Sequence, residues 1–219
     1  KAQFDALEKR KETILAAIRE QEQLTPELEA KIAAAMELSV VEDLYLPFKK
    51  KRNTKAEIAV KNGLLPLAKM IMSQRVVNLE QTATRYCSTE VPNSDIALEG
   101  ARHIIAEWIN ERTDIRSVVR RQLQREAQIT TKVVKAKVAE DGAQKFRDYF
   151  DFSEALHRAP SHRLLAMLRA ENEGWIRTKI TLDAAAILDK IERKIIQGKS
   201  EATPQIALAI ADSYKRLLF

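Results

Sequence analysis

The sequence has few of the residues that interrupt regular structure or build covalent and metal sites. Its 219 residues include 5 glycines, 6 prolines and a single cysteine, Cys87. One cysteine excludes an internal disulfide and leaves the chain short of ligands for a four-ligand zinc site, which is typical of a reducing compartment. We therefore expect a cytoplasmic protein with no metal and no other cofactor.

Long apolar runs are also missing, since none approaches the roughly 20 residues of a membrane-spanning helix. The first residues, Lys1 to Asp5, resemble neither a signal peptide nor a natural start. We expect an internal fragment of a larger protein, without a membrane segment.

Aromatic residues make up only 5% of the chain, whereas 45% of residues are hydrophobic and 31% are charged. The core must therefore consist mainly of Leu, Ile, Val and Ala, residues that pack well between helices. With so few helix breakers, the composition predicts an all-α protein. We expect an elongated multi-helix bundle with a helix-turn-helix-like element and at most one short strand pair.

Local signals place many of the helix starts. Thr25-Pro26 and Thr54 are predicted to cap helices, a long amphipathic helix should begin at Asp95, and Thr113-Asp114 should open the next one. We divide the chain into three parts. They are an N-terminal helical hairpin region with a basic loop (1–90), long central helices (91–140), and a helix-turn-helix-like region with C-terminal helices, cut at its end (141–219).

Three segments depart from a simple pattern of one amphipathic helix. Thr130 to Val138 is rich in Val and Thr, which permits a strand, but its period is mixed and long helices flank it, so we predict helix. Trp175 to Leu182 has a strand-like pattern. From Ser153 to Ala170 the helix start and stop signals predict a short helix, a tight turn and a second helix. Leucines and Met167 on that second helix indicate that much of its surface is buried.

The residues that carry catalysis or bind metal are not arranged for either purpose. His103, His157 and His162 do not share the helical spacing of a metal-binding pair, and Cys87 has no neighbour that would activate a thiolate. No two glycines lie close enough to form a phosphate-binding loop. We expect this chain not to be an enzyme.

Basic residues are the remaining functional signal, with a formal net charge of +6. Such residues can neutralise phosphates and give salt-sensitive binding to nucleic acid. They are equally compatible with an ordinary solvated loop, or with arginines that pair with acids such as Glu111 and Glu126. Arg163 lies on the candidate recognition helix, together with His162 and Arg169. The predicted nucleic-acid-binding residues are Lys49, Lys50, Lys51, Arg52, Lys55, Arg116, Arg120, Arg121 and Arg163.

Several segments carry a family resemblance in order and spacing. The longest is VEDLYLPFK at Val41 to Lys49, followed by LEKRKETIL at Leu7 to Leu15, ALEGAR at Ala97 to Arg102, KFRDYF at Lys145 to Phe150, and Ser161-His162-Arg163 with Ala166-Met167. Together they resemble the Tex family of bacterial transcription accessory proteins. The family pattern has proline where this chain has Lys50 and arginine where it has Asn53. The resemblance covers nearly the whole chain and thins after Gly174.

The resemblance implies a multidomain protein. Its N-terminal helical region would carry a helix-turn-helix element and precede an RNase-H-like domain, a helix-hairpin-helix region and a C-terminal S1 domain of the OB type, the part credited with most nucleic-acid binding. This chain would then be the non-catalytic helical scaffold of a protein that binds RNA or DNA, with the transcription machinery as a further partner. The alternative is a module that docks the transcription or translation machinery without touching nucleic acid. Oligomeric state stays open.

Overall fold

The structure is a computed structural model that describes residues 2–49 and 53–218. The chain forms two compact units. We call Lys1–Ser117 with Lys190–Phe219 the helical unit, and Val118–Asp189 the sheet unit. The predicted division into three parts stays a prediction.

The helical unit is built from short helices and two long ones, of 19 and 18 residues. Two further helices cross the boundaries between the units along the chain: α8 (Thr113–Glu126) and α11 (Ala184–Ile195). A 3-10 turn at Leu46–Phe48 follows α3, and one π-helical turn at Tyr214–Leu218 follows α12. The other helices of this unit are α1 (Ala2–Glu20), α2 (Pro26–Ala34), α3 (Leu38–Tyr45), α4 (Lys55–Lys61), α5 (Leu65–Ser73), α6 (Leu79–Thr84), α7 (Ser94–Glu111) and α12 (Thr203–Ser213).

Side-chain caps account for several of these starts. The Thr25 hydroxyl accepts a hydrogen bond from the Leu28 amide at 3.2 Å, and α2 begins at the next residue, Pro26. Thr54 caps α4 in the same way. Each cap satisfies an amide that the first helical turn leaves unpaired. The starts predicted at Thr25-Pro26 and Thr54 are confirmed, and α7 begins one residue before the predicted Asp95.

The helices of the helical unit pack together in two regions. Ile14 and Ile18 of α1 are buried with Ile32 and Val41 of the next two helices, which closes the N-terminal helices around one core. The long helix α7 contacts α4, α5, α6 and α12, so it is central to this unit. Gly100 permits Leu64, the residue before α5, to pack closely against α7, because a Cβ atom at position 100 would collide with the Leu64 side chain.

The sheet unit holds a three-stranded antiparallel sheet, which corrects the expectation of at most one strand pair. The strands are β1 (Gln128–Val133), β2 (Asp151–Ala155) and β3 (Ile176–Thr181), in the order β2-β1-β3. Two further helices complete the unit, α9 (Asp141–Gln144) and α10 (Ser161–Asn172). The prediction of helix from Thr130 is therefore wrong. Its β-branched residues pair with strands on both sides, a long-range gain that local pattern does not report.

The predicted helix-turn-helix element is not confirmed. Ser153 lies in β2 and a 3-10 turn follows at Leu156–Arg158, so only the second helix of the element, α10, is present. The core under the sheet includes Met167 of α10. Leu165 and Leu168 of the same helix are 66% and 54% exposed, so less of its surface is buried than its composition indicates.

Every helix within the described residues is too short or too polar to span a membrane.

Candidate nucleic-acid interface

The predicted basic loop joins α3 and its 3-10 turn to α4. Lys49 and Lys55 are both exposed at its two ends. Lys50, Lys51 and Arg52 lie outside the described residues. The prediction that this loop binds nucleic acid stays a prediction.

Arg116, near the start of α8, is held inside the helical unit. Its Nε donates to Asp43 Oδ1 at 2.5 Å and its Nη1 donates to Asn110 Oδ1 at 2.8 Å. The Asp43 side chain is only 5% exposed. A buried carboxylate needs a compensating cation, so these contacts engage Arg116 in stabilising the fold.

Arg163 on α10 is also engaged within its own unit. Its Nη1 donates to both carboxylate oxygens of Glu154 on β2, at 2.6 and 2.7 Å, and its guanidinium lies 5.7 Å from the centre of the Phe152 ring. The hydrogen bonds that Arg163 donates to Glu154 raise the pKa of Arg163. These contacts tie α10 to the sheet.

The other two predicted arginines lie further along α8. Arg121 is exposed, whereas Arg120 is half-buried and has a partner within the chain. The nine predicted residues are divided between the two units. Those near the loop lie in the helical unit and those from Arg120 onward lie in the sheet unit.

The sheet unit presents a basic surface that the sequence reasoning missed. In an antiparallel sheet, alternate residues face one side and directly paired residues share that side. The pairing of β1 with both neighbours thus places nine side chains on the face opposite Ile129 and the buried core. We call this the open sheet face, and it comprises Gln128, Thr130, Lys132, Asp151, Ser153, Ala155, Arg177, Lys179 and Thr181.

Charge on the open sheet face is mostly positive. Lys132 donates to Asp151 across the strand pair, so these two charges largely offset each other. Arg177 and Lys179 of β3 are exposed and form no ion pair with any residue that the structure describes. They remain available to an external anion.

A cleft of about 640 Å³ continues the open sheet face at one end. Gln128, Ala155 and Thr181, which are paired in register, belong to both surfaces. We call this the sheet-end cleft, and its remaining lining residues are Arg125, Glu126, His157, Arg158, Leu182 and Asp183.

The cleft adds free cations to those on β3. Arg125 and Arg158 are exposed and make no ion pair within the described part of the chain. Asp183 is engaged elsewhere, because its Oδ1 accepts hydrogen bonds from the Ala185 and Ala186 amides at the start of α11, at 3.0 and 3.3 Å. The open sheet face and the cleft together form a continuous surface on which four cations and one exposed acid, Glu126, make no ion pair with any described residue.

A period of two was the signal that could have revealed this surface. Gln128, Thr130 and Lys132 alternate with Ile129 and Thr131, and Arg177 and Lys179 alternate with Ile176, Thr178 and Ile180. The long helices predicted to flank Thr130 to Val138 favour a helical interpretation of the first alternation, which is why helix is predicted there. The polar face becomes visible only when both strands are paired.

Comparison with known proteins identifies relatives over most of the chain. A family model described as Tex central region-like matches residues 74–214. The "Transcriptional accessory protein Tex" of Neisseria gonorrhoeae is 44% identical over 168 residues, which cover 77% of this chain and 22% of that protein. "Protein YhgF" of Escherichia coli K12 is 41% identical over 179 residues, 81% of this chain and 23% of that protein. The "Uncharacterized protein YdcI" of Bacillus subtilis is 37% identical over 217 residues, 97% of this chain and 30% of that protein. The chain thus spans less than a third of the length of these relatives.

Proposed function

The chain belongs to the Tex family, and from that premise we propose that it is the helical scaffold region of a transcription accessory protein that binds RNA or DNA. The chain itself supplies no catalysis under this proposal, and it works in the cytoplasm. Domains beyond the chain supply most of the binding in the parent protein, and the transcription machinery is a further partner.

The observation that carries nucleic-acid binding is the free positive charge of the sheet unit. Arg125, Arg158, Arg177 and Lys179 are exposed, lie on one continuous surface and have no internal ion pair among the described residues. Cations in this state release counterions from phosphates when they bind, so the affinity is high at low salt and falls steeply as salt rises. The net charge of +6 adds long-range attraction to a polyanion.

A salt titration tests the proposal. The 219-residue chain is mixed with labelled RNA and DNA at several salt concentrations, and fluorescence anisotropy reports binding. We expect affinity that falls as salt rises. Charge reversal of the loop, with Lys50→Glu, Lys51→Glu and Arg52→Glu, then reports whether the loop contributes. Each lost phosphate contact should flatten the slope by about one unit. No detectable binding at low salt would contradict the proposal.

A groove in the helical unit favours the second candidate, a module that docks a protein of the transcription or translation machinery. The groove has about 360 Å³ of space between α4 and α7. Ile58 and Ile96 at its rim are 50% and 40% exposed, and Leu64 and Val91 beneath them are buried. Exposed apolar side chains around a buried apolar floor are typical of docking sites.

The two candidates separate in one experiment. Ile58→Lys should abolish binding to purified RNA polymerase or ribosomes if the groove docks either assembly, and it should leave nucleic-acid affinity unchanged. Val60→Lys is the matched control, because Val60 is 41% exposed on the same helix but does not line the groove. Equal loss of binding in both variants would contradict the proposal that the groove is a docking site.

A further inference from the structure

We propose that the open sheet face and the sheet-end cleft bind the phosphate backbone of a double-stranded nucleic acid in preference to a single strand. This inference rests on the proposed nucleic-acid binding and adds the form of nucleic acid that the surface selects. It follows from which groups the surface carries, how they are spaced, and which groups are kept away from it.

Few aromatic rings lie on this surface. Proteins that hold single strands stack bases on exposed aromatic side chains. None of the nine side chains of the open sheet face carries an aromatic ring, and the cleft lining adds a single one, the imidazole of His157. The sheet's own aromatic residue, Phe152, is partly buried against the core, where Tyr149 packs edge-on to it at 5.7 Å. Unstacked bases would therefore find little to bind on this surface.

The surface carries groups that suit a phosphate backbone. Free cations on the surface suit phosphate oxygens. Thr130, Ser153 and Thr181 add hydroxyl groups and Gln128 adds an amide. Groups of this kind recognise backbone and sugar atoms, and such contacts position a nucleic acid without reading its sequence.

A duplex presents more phosphate charge along the length of the sheet than a single strand does. Strands of six residues extend roughly 20 Å and three strands are roughly 10 Å wide. Over about 20 Å, a duplex carries roughly 12 phosphates at one charge per ~1.7 Å, and a single strand of the same rise carries about half that number. A surface that relies on charge alone therefore gains more from a duplex.

The sheet holds the backbone of its cationic residues at fixed spacing. Arg177 of β3 lies directly opposite Lys132 of β1, and Lys179 follows two positions further along β3. The cleft arginines, Arg125 and Arg158, lie near the other end of β1, which begins at Gln128. Strand pairing fixes the backbone positions from which the strand cations project. Fixed spacing favours a partner whose phosphates are also fixed, because a flexible single strand loses more conformational entropy on binding.

The test compares nucleic acids of equal length. The full chain is titrated with an RNA duplex, a DNA duplex and a mixed-sequence single strand. Each strand has about 20 nucleotides, slightly more than the span that a duplex-binding domain contacts. We expect both duplexes to bind at least tenfold more tightly than the single strand. The difference between the RNA and DNA duplexes then shows whether the hydroxyl and amide groups favour the ribose 2′-hydroxyl.

Variants assign the preference to this surface. Arg177→Gln with Lys179→Gln should reduce the slope of log affinity against log salt for duplexes by about two units. The matched control is Lys69→Gln with Arg75→Gln, which removes two exposed cations from the helical unit and should leave the slope unchanged. All four residues are exposed, and circular dichroism checks that both variants fold.

The outcomes separate this inference from the proposed function. If the single strand binds as tightly as the duplexes, nucleic-acid binding stands and the duplex preference is overturned. If duplexes are preferred but the Arg177 and Lys179 variant matches its control, the assignment to the open sheet face is overturned. If no nucleic acid binds at low salt, the proposed function fails as well.

Discussion

Replacing Arg116 by methionine should destabilise the helical unit and leave nucleic-acid binding unchanged. Sequence pattern suggests Arg116 as a phosphate contact, but in the structure its guanidinium bonds Asp43 and Asn110. Methionine keeps much of the apolar stem and removes the charge, so the variant isolates the electrostatic role. The Asp43 carboxylate would then stay buried without its main compensating cation.

The burial of the pair sets the expected magnitude. Removing one partner of a buried ion pair costs about 3–5 kcal/mol. The Arg116 side chain is 27% exposed and Asp43 has a further interaction within the chain, so the lower end applies. We expect a loss of about 3 kcal/mol, which corresponds to a fall of roughly 6–12 °C in Tm for a chain of this length.

Thermal and urea unfolding of three variants test this reasoning. Arg121→Met is the control, because Arg121 is exposed on the same helix and should change stability by less than about 0.5 kcal/mol. Adding Asp43→Asn to Arg116→Met should recover part of the lost stability, since the unpaired carboxylate at position 43 is then replaced by a neutral amide. The reasoning is refuted if Arg116→Met is as stable as the control and instead flattens the salt dependence of nucleic-acid binding.

Three further predictions address packing, capping and pH. Gly100→Ala should cost about 1–3 kcal/mol in urea unfolding, because the added methyl group collides with a packed leucine, whereas Gly198→Ala meets nothing within 4 Å and should be neutral. Asn93→Ala should cost about 1 kcal/mol through loss of the cap of α7, and Asn93→Ser should restore most of it; equal losses in both would argue against the cap. The hydrogen bonds from Arg216 lower the pKa of Asp212, so this carboxylate contributes stability at neutral pH that is lost as the pH falls below about 4. Unfolding of Arg216→Gln should therefore show a deficit at pH 7 that shrinks at pH 3, and a deficit independent of pH would contradict this pairing.

Where the free cations lie could not be read from the sequence. Arg116, Arg120 and Arg121 look alike along the chain, yet the first is paired with a buried aspartate, the second is half-buried with a partner and the third is exposed. An acid that lies 73 positions away along the chain determines the role of Arg116. Counting basic residues identifies a charged protein, but only side-chain contacts show which charges are available to a ligand.

The sequence by itself determined the mainly helical fold, the helix starts at Thr25-Pro26 and Thr54, and the family. Caps and helical periods are local, because each depends on groups within about four residues of one another. The tertiary structure alone decided that the segment from Gln128 to Val133 is a strand, since its hydrogen-bonding partners lie in β2 and β3, much later in the chain. Pairing with them outweighs the helical context on its N-terminal side, and it places Lys132, Arg177 and Lys179 on one face.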